Sequence, residues 1–261
     1  MNAKSEEFLC MLLWTCETLT RPTFRNLTES FEGWAYRNGF LRQLQRLEKR
    51  QLIKRQSGNH GDRLHRLTEA GRVCALGGRD PKACWSRPWD GRWRLVLFDV
   101  PEAHRARRNR LRRYLHGCGF GYLQNSVWIT PDPVNDQRAL LAGGPVDVES
   151  MIFLDARPSA GETDAEIVSG AWDFVELNRR YAQYREVLHN RPRRRLRSMA
   201  DATVLQRWLR TEREAWLGAM ECDPLLPARL LPPDYAGRVA WRERLKAMAE
   251  TGNQMRAFPV K

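Results

Sequence analysis

The stretch WDGRWRLVLFDVPE (89–102) brings a carboxylate, Asp99, to the end of an apolar run, Trp93–Phe98, directly before Val100 and a proline. A run of this length and composition reads as a buried strand. An acid at its end is where a fold can hold a catalytic or metal-binding carboxylate. The chemistry would be hydrolysis assisted by a divalent cation. One carboxylate holds Mg²⁺ poorly, since hydrolytic sites gather several oxygen ligands, and the neighbouring sequence adds only Glu102. A symmetric dimer would bring two Asp99 side chains together. The structural alternative places Asp99 at a dimer interface or as the cap of a helix starting near Pro101, and it is the favoured reading.

Other chemistry-bearing patterns are sparse. The five histidines, His60, His65, His104, His116 and His189, form no HExxH array. GCGFG (117–121) follows a helix-like segment rather than a strand, which makes it a turn and not a nucleotide loop. There is no P-loop and no GxSxG. The six cysteines are scattered without a CxxC pair, the usage of a reduced cytosol rather than of a zinc site or a disulfide framework. The apolar run FLCMLLW (8–14) is too short to span a bilayer. The expectation is a cytoplasmic protein that is not an enzyme, with no catalytic residue, resident metal, cofactor or membrane partner.

Charge points elsewhere. Lys and Arg number 44 against 31 acids, giving +13 and a pI near 10.0, so a polyanion is the first partner to consider. The excess is greatest in residues 1–88, which carry 16 basic and 9 acidic residues. Within them, Ser5 can cap a helix through Phe8, Leu9, Leu12 and Leu13, and TFRNLTES (23–30) can form a second. YRNGFLRQLQRLEKR (36–50) puts Phe40, Leu41, Leu44 and Leu47 on one stripe and Asn38, Arg42, Gln45, Arg46 and Lys49 on the other. LIKRQSGNHGDRLHRLT (52–68) reads as two strands around a Gly-Asn-His-Gly turn, and Thr68 caps a last helix. Three helices and a hairpin is the order of a winged helix-turn-helix. A merely solvated outer face would show the same helical stripe; the basic hairpin and the charge favour DNA. Arg37, Asn38, Arg42, Gln45 and Arg46 would then enter the major groove, and Lys54, Arg55, Asn59, His60 and Arg63 would hold phosphates from the wing.

Residues 89–157 predict β-α-β-β-α-β, a ferredoxin-like domain. Its elements are the strand at Trp93–Phe98, a helix over 101–120 with Leu111, Tyr114 and Leu115 inward, strand segments over 120–130 interrupted near Gln124–Asn125, a helix over 136–144, and a strand over 150–156. Arginines 105, 107, 108, 110, 112 and 113 crowd the outside of the first helix. Residues 158–261 predict a helical domain. One long helix covers 165–188, RPRRRLR (191–197) is a basic linker, a helix covers 200–222, and a closing helix runs to about Met255. The fold class is thus α+β in three domains, 1–88, 89–157 and 158–261.

Two further stretches carry a resemblance. DPLLPARLLPPDYAG (223–237) and the helix with Ala171-Trp172, Leu177-Asn178, Tyr181 and Tyr184 resemble the PaaX-like family of phenylacetate-catabolism repressors, and PWDGRW (88–93) fits it too. The resemblance implies a dimeric transcriptional repressor on a double-stranded operator, the middle domain serving dimerisation, with release by an acyl-CoA such as phenylacetyl-CoA. Arg193, Arg194 and Arg195 beside Trp172 and Trp208 are the candidates for such an effector, although an ordinary helical core and a solvated linker account for them more simply. The middle domain, through Asp99, the arginine-loaded helix and Ser126-Val127, is also similar to the CRISPR-associated ferredoxin-like nuclease. That likeness implies a metal-dependent nuclease centred on Asp99 as the alternative.

Overall fold

The computed structural model describes residues 41–57, 63–101, 104–134 and 150–257. The helices expected over 8–13, 23–30 and 136–144, and the turn at 58–61, lie outside them. The chain divides into two compact units. One takes residues up to Asp80 together with Gln183–Leu217 and Arg238 onward; the other takes Pro81–Ala182 and Gly218–Gly237.

In the first unit, α1 (Leu41–Lys49) is followed by an antiparallel hairpin of β1 (Ile53–Ser57) and β2 (Arg63–Leu67), then by α2 (Glu69–Ala75). Leu47 and Ile53 are buried, so the last leucine of α1 and the first residue of the hairpin face a core. Gln51 makes the turn between them with φ 57°. The Thr68 hydroxyl accepts from the Gly71 amide at 3.0 Å and donates to the Gln51 carbonyl at 2.7 Å. One side chain therefore starts α2 and ties it back to the end of α1. The unit also contains the C-terminal part of α6 (Phe174–His189), most of α7 (Met199–Cys222) and nearly all of α8 (Gly237–Arg256). Trp216 is fully buried among Tyr184 and Trp241, with ring centroids at 5.2 and 5.4 Å.

The second unit holds α3 (Pro81–Ser86), β3 (Trp93–Asp99), α4 (Arg105–Gly117), β4 (Gly121–Gln124), β5 (Val127–Thr130) and β6 (Ser150–Ala156). The four strands form one antiparallel sheet in the order β4-β5-β3-β6, which is the order a ferredoxin-like β-α-β-β-α-β sheet takes. Val96 and Phe98 point to the face that α4 covers, where they meet Leu111, Leu115, Phe120 and Trp128. Asn125, with φ 49°, makes the interruption between β4 and β5. The chain is thus mixed α+β, with a four-stranded antiparallel sheet in its middle and helices on both sides along the sequence.

Three expectations need correction. Tyr114 does not face inward: it is 37% exposed, because Leu111 and Leu115 alone fill the inner line of α4. The helix starts at Arg105, not near Pro101, and its N-cap is His104. The helix expected over 165–188 is two helices, α5 (Asp164–Ala171) and α6. Trp172 breaks it by turning extended, φ −133° and ψ 138°. Its indole donates to the Gly119 carbonyl at 3.2 Å. It lies so close to Gly121 that a Cβ there would come within 2.7 Å of the ring. Asp173 then restarts the helix by accepting from the Glu176 amide at 2.9 Å.

Candidate nucleic-acid interface

On α1, Gln45 and Arg46 are exposed while the next residue, Leu47, is buried. The helical period therefore turns an amide and a guanidinium outward, groups able to bond adenine and guanine edges. Lys49, in the last turn, is exposed too. Arg42 belongs to the same helix, one turn before Gln45 and Arg46. Lys54 on β1 is exposed and stands opposite Arg66 of β2, while Arg55 pairs with His65 and Ser57 with Arg63. The hairpin thus gathers basic positions in register on two strands, Arg66 among them, which the sequence reading left out. Arg37, Asn38, Asn59 and His60 lie outside the described residues.

Asp99 closes β3, exposed, with Ser150 as its register partner. It does not cap α4: the cap position is His104, whose side chain makes no capping bond. Among the described residues no group of three His, Cys, Asp or Glu side chains gathers as a metal site.

The effector candidates fall in different places. Trp172 belongs to the second unit, where it packs on Trp93 at 6.1 Å between centroids. Trp208 belongs to the first unit, is 8% exposed, and donates to the Val187 carbonyl at 2.9 Å. Trp208 is a core residue of its unit, and Trp172 is half-buried in the other. Arg193, Arg194 and Arg195 are exposed in an irregular segment. Of these, Arg193 lines a cavity of about 370 Å³ with Arg191, His189, Lys246, Glu243 and Glu250. Its two acids are already engaged, Glu243 by Arg185 and Glu250 by Arg191. The Arg185 guanidinium holds the Glu243 carboxyl below the usual range.

The PaaX-like signature DPLLP has a structural reason. Asp223 is 1% exposed and accepts from the Tyr181 hydroxyl, from the Tyr235 hydroxyl at 2.5 Å, and from the Leu225 amide at 2.8 Å. Burial first, and the Asp223 charge second, push both phenols well above their ordinary range. The motif's residues are a buried clasp, not an exposed site.

A helix–hairpin–helix segment and a four-stranded antiparallel sheet define the class: a mixed α+β protein. Residues 86–168 match the family model described as the PaaX protein central Cas2-like domain. The middle part of the chain is thus similar to the central, Cas2-like domain of PaaX proteins. A solved structure, the uncharacterized protein Rv0674 from Mycobacterium tuberculosis, is similar over 95% of this chain and 96% of that one, at 22% identity and a TM-score of 0.52; at that identity the likeness concerns the fold. No curated protein matches the chain. Among the described residues no helix is long and apolar enough to cross a membrane.

Proposed function

We propose that the protein is a DNA-binding transcriptional regulator that acts as a homodimeric repressor, and that an acyl-CoA such as phenylacetyl-CoA releases it. The family match of residues 86–168 supports a PaaX-like regulator. The observation that carries DNA binding is local: α1 exposes Gln45 and Arg46 beside buried Leu47 and runs straight into a hairpin with Lys54 exposed. In this reading residues 1–88 form the winged helix-turn-helix, with Arg37, Asn38, Arg42, Gln45 and Arg46 in the major groove. Lys54, Arg55, Asn59, His60 and Arg63 contact phosphates. Residues 89–157 dimerise in the cytoplasm, and residues 158–261 form the helical C-terminal domain. Two-fold symmetry then asks for a palindromic operator with half-sites about one helical turn, or a multiple, apart.

The test is anisotropy of the purified protein on its own upstream intergenic DNA across a salt series, with and without phenylacetyl-CoA. Tight binding that the thioester releases supports the whole reading. Tight binding indifferent to it removes the effector and keeps the regulator. Absence of specific binding at every salt concentration overturns the regulator.

A further inference from the structure

The segment RPRRRLR (191–197) has no regular secondary structure, yet it is pinned along its length. Leu196 is buried and anchors it. The Gln254 amide of α8 donates to the Pro192 carbonyl at 3.0 Å and to the Arg194 carbonyl at 2.5 Å. The Asp201 carboxylate accepts the Arg197 and Ser198 amides, each at 2.9 Å, and so starts α7 where the segment ends. The Arg191 side chain, only 10% exposed, donates to Glu250 at 2.6 Å and to Gln254 Oε1 at 3.0 Å. A solvated linker has no use for these bonds. They fix where the arginines stand.

The cavity of about 370 Å³ lies between this segment, the end of α6 and α8. Its charge is unbalanced. Glu243 is taken by Arg185 and Glu250 by Arg191, and His189 stands 4.0 Å from Glu243. Arg193 and Lys246 line the cavity, are exposed, and pair with no acid among the described residues. The last carbonyls of a helix carry negative charge that would repel an anion. Here they are already bonded: Glu186 accepts from the Asn190 amide at 3.2 Å, Val187 from the Trp208 indole at 2.9 Å, and Leu188 from the Arg191 amide at 3.3 Å. The apolar lining is Leu188 and Ala247 alone, too little wall for an acyl chain or a phenyl ring. Two uncommitted cations on two elements, a guanidinium fork and an ammonium, suit an anion with several acceptor oxygens.

We propose that this cavity binds a compact phosphorylated metabolite, whose phosphate or diphosphate group is held by Arg193 and Lys246. The ligand is small and polar, and it is distinct from an acyl-CoA. None of the cavity's residues belongs to the helix and hairpin assigned above to DNA, so the site goes beyond the regulator reading and does not depend on it.

The probe is inorganic pyrophosphate, titrated calorimetrically into the full chain at fixed ionic strength. The double variant Arg193→Gln, Lys246→Gln is expected to weaken binding by about tenfold or more, since each substitution removes a charge-assisted bond. The control, Arg194→Gln with Arg195→Gln, removes the same charge from exposed positions of the same segment that do not line the cavity. It should bind within about twofold of the parent, because solvent and salt screen charges outside the site. Both variants change exposed side chains only and should unfold with the parent. Absence of pyrophosphate binding by the parent overturns the proposal. So does equal weakening in the two double variants, which would make the anion a counter-ion of the whole basic segment. Coenzyme A, added in competition, is expected to leave pyrophosphate binding unchanged. Displacement by coenzyme A would give the cavity to the nucleotide end of an acyl-CoA and overturn a separate ligand. Failure of the protein to bind DNA bears on the regulator alone, so the two readings fall separately.

Discussion

The guanidinium of Arg244 donates from Nε to Glu212 Oε1 at 2.7 Å, and neither side chain has any exposed surface. The Tyr184 hydroxyl donates to the same oxygen at 2.8 Å, and the Trp216 ring lies 4.7 Å from the guanidinium carbon. A carboxylate and a guanidinium out of water are tolerated only as a complete set. Removing one leaves the other charged and unmatched, which costs about 3–5 kcal/mol, whereas replacing both by apolar residues of similar volume is far milder. Arg244→Met and Glu212→Leu are therefore each expected to destabilise by that amount in urea unfolding, and the double variant by much less than their sum. Additive losses would show that the two side chains act independently.

Gly71 places the last helix of the N-terminal segment. A Cβ on it would stand 1.9 Å from the Leu52 carbonyl oxygen, a backbone atom that cannot step aside without moving the start of the hairpin. The same carbonyl accepts the Thr68 amide at 3.0 Å. Gly71→Ala is expected to cost about 1–3 kcal/mol by overpacking and to weaken operator binding. Thr68→Ala, which removes a cap and nothing bulky, should cost about 1 kcal/mol. Denaturation of both variants, with DNA titration alongside, checks the order. Equal stability of Gly71→Ala and the parent would mean α2 and β1 do not pack as described.

Asp90 gives the PWDGRW motif its reason. Its carboxylate accepts from Arg94 at 2.8 and 2.5 Å and from the Arg92 amide at 3.0 Å. The Arg94 bonds hold its carboxyl down at about 2, against 3.8 ordinarily. The folded group therefore binds fewer protons than the unfolded one, so its contribution is complete above pH ~4 and is lost as pH falls towards 2. Glu176, held at about 2 by Arg179 and Arg180, titrates over the same window. Asp90→Asn should flatten part of the acid limb of the stability curve below pH ~4 and leave the neutral region parallel to the parent. An unchanged acid limb would remove Arg94 as the group that holds Asp90.

Much of this was legible in residue types and spacing. Ile53–Ser57 and Arg63–Leu67 follow from their position around Gly-Asn-His-Gly, β3 and β6 from their apolar runs, and the start of α2 from Thr68. What stayed hidden depended on contacts distant in sequence. Gly170 and Asp173 beside Trp172 are weak helix residues that hint at a break, but the close approach to Gly121 and the bond to Gly119 are what fix it there. Tyr114 fits the inner line of its helix by spacing, yet two leucines suffice to fill it. Asp223 reads as a loop acid before a proline, and only Tyr181 and Tyr235 reveal it as buried. At the candidate site, the turn outward of Gln45 and Arg46 was readable from the leucine stripe, whereas Arg66 opposite Lys54 needed the strand register.

Asp99 separates the two functions most cheaply. The nuclease alternative needs its carboxylate to hold a divalent cation, whereas the regulator needs nothing from it at the DNA. The residue is exposed at the end of β3, and among the described residues it belongs to no group of three His, Cys, Asp or Glu side chains. A single carboxylate offers too few oxygen ligands to hold Mg²⁺ at working concentrations unless a second chain supplies its own. Asp99→Ala is therefore expected to bind the upstream DNA within about twofold of the parent, since an exposed substitution away from the contact surface changes little. EDTA should leave the binding curve unchanged, and labelled duplex incubated with Mg²⁺ or Mn²⁺ should stay intact on a denaturing gel. Cleavage that disappears both in EDTA and in Asp99→Ala would place a metal at this strand end and make the protein a nuclease. Loss of binding without cleavage would place Asp99 at the interface between two copies, and sedimentation of the variant as a monomer would identify that interface.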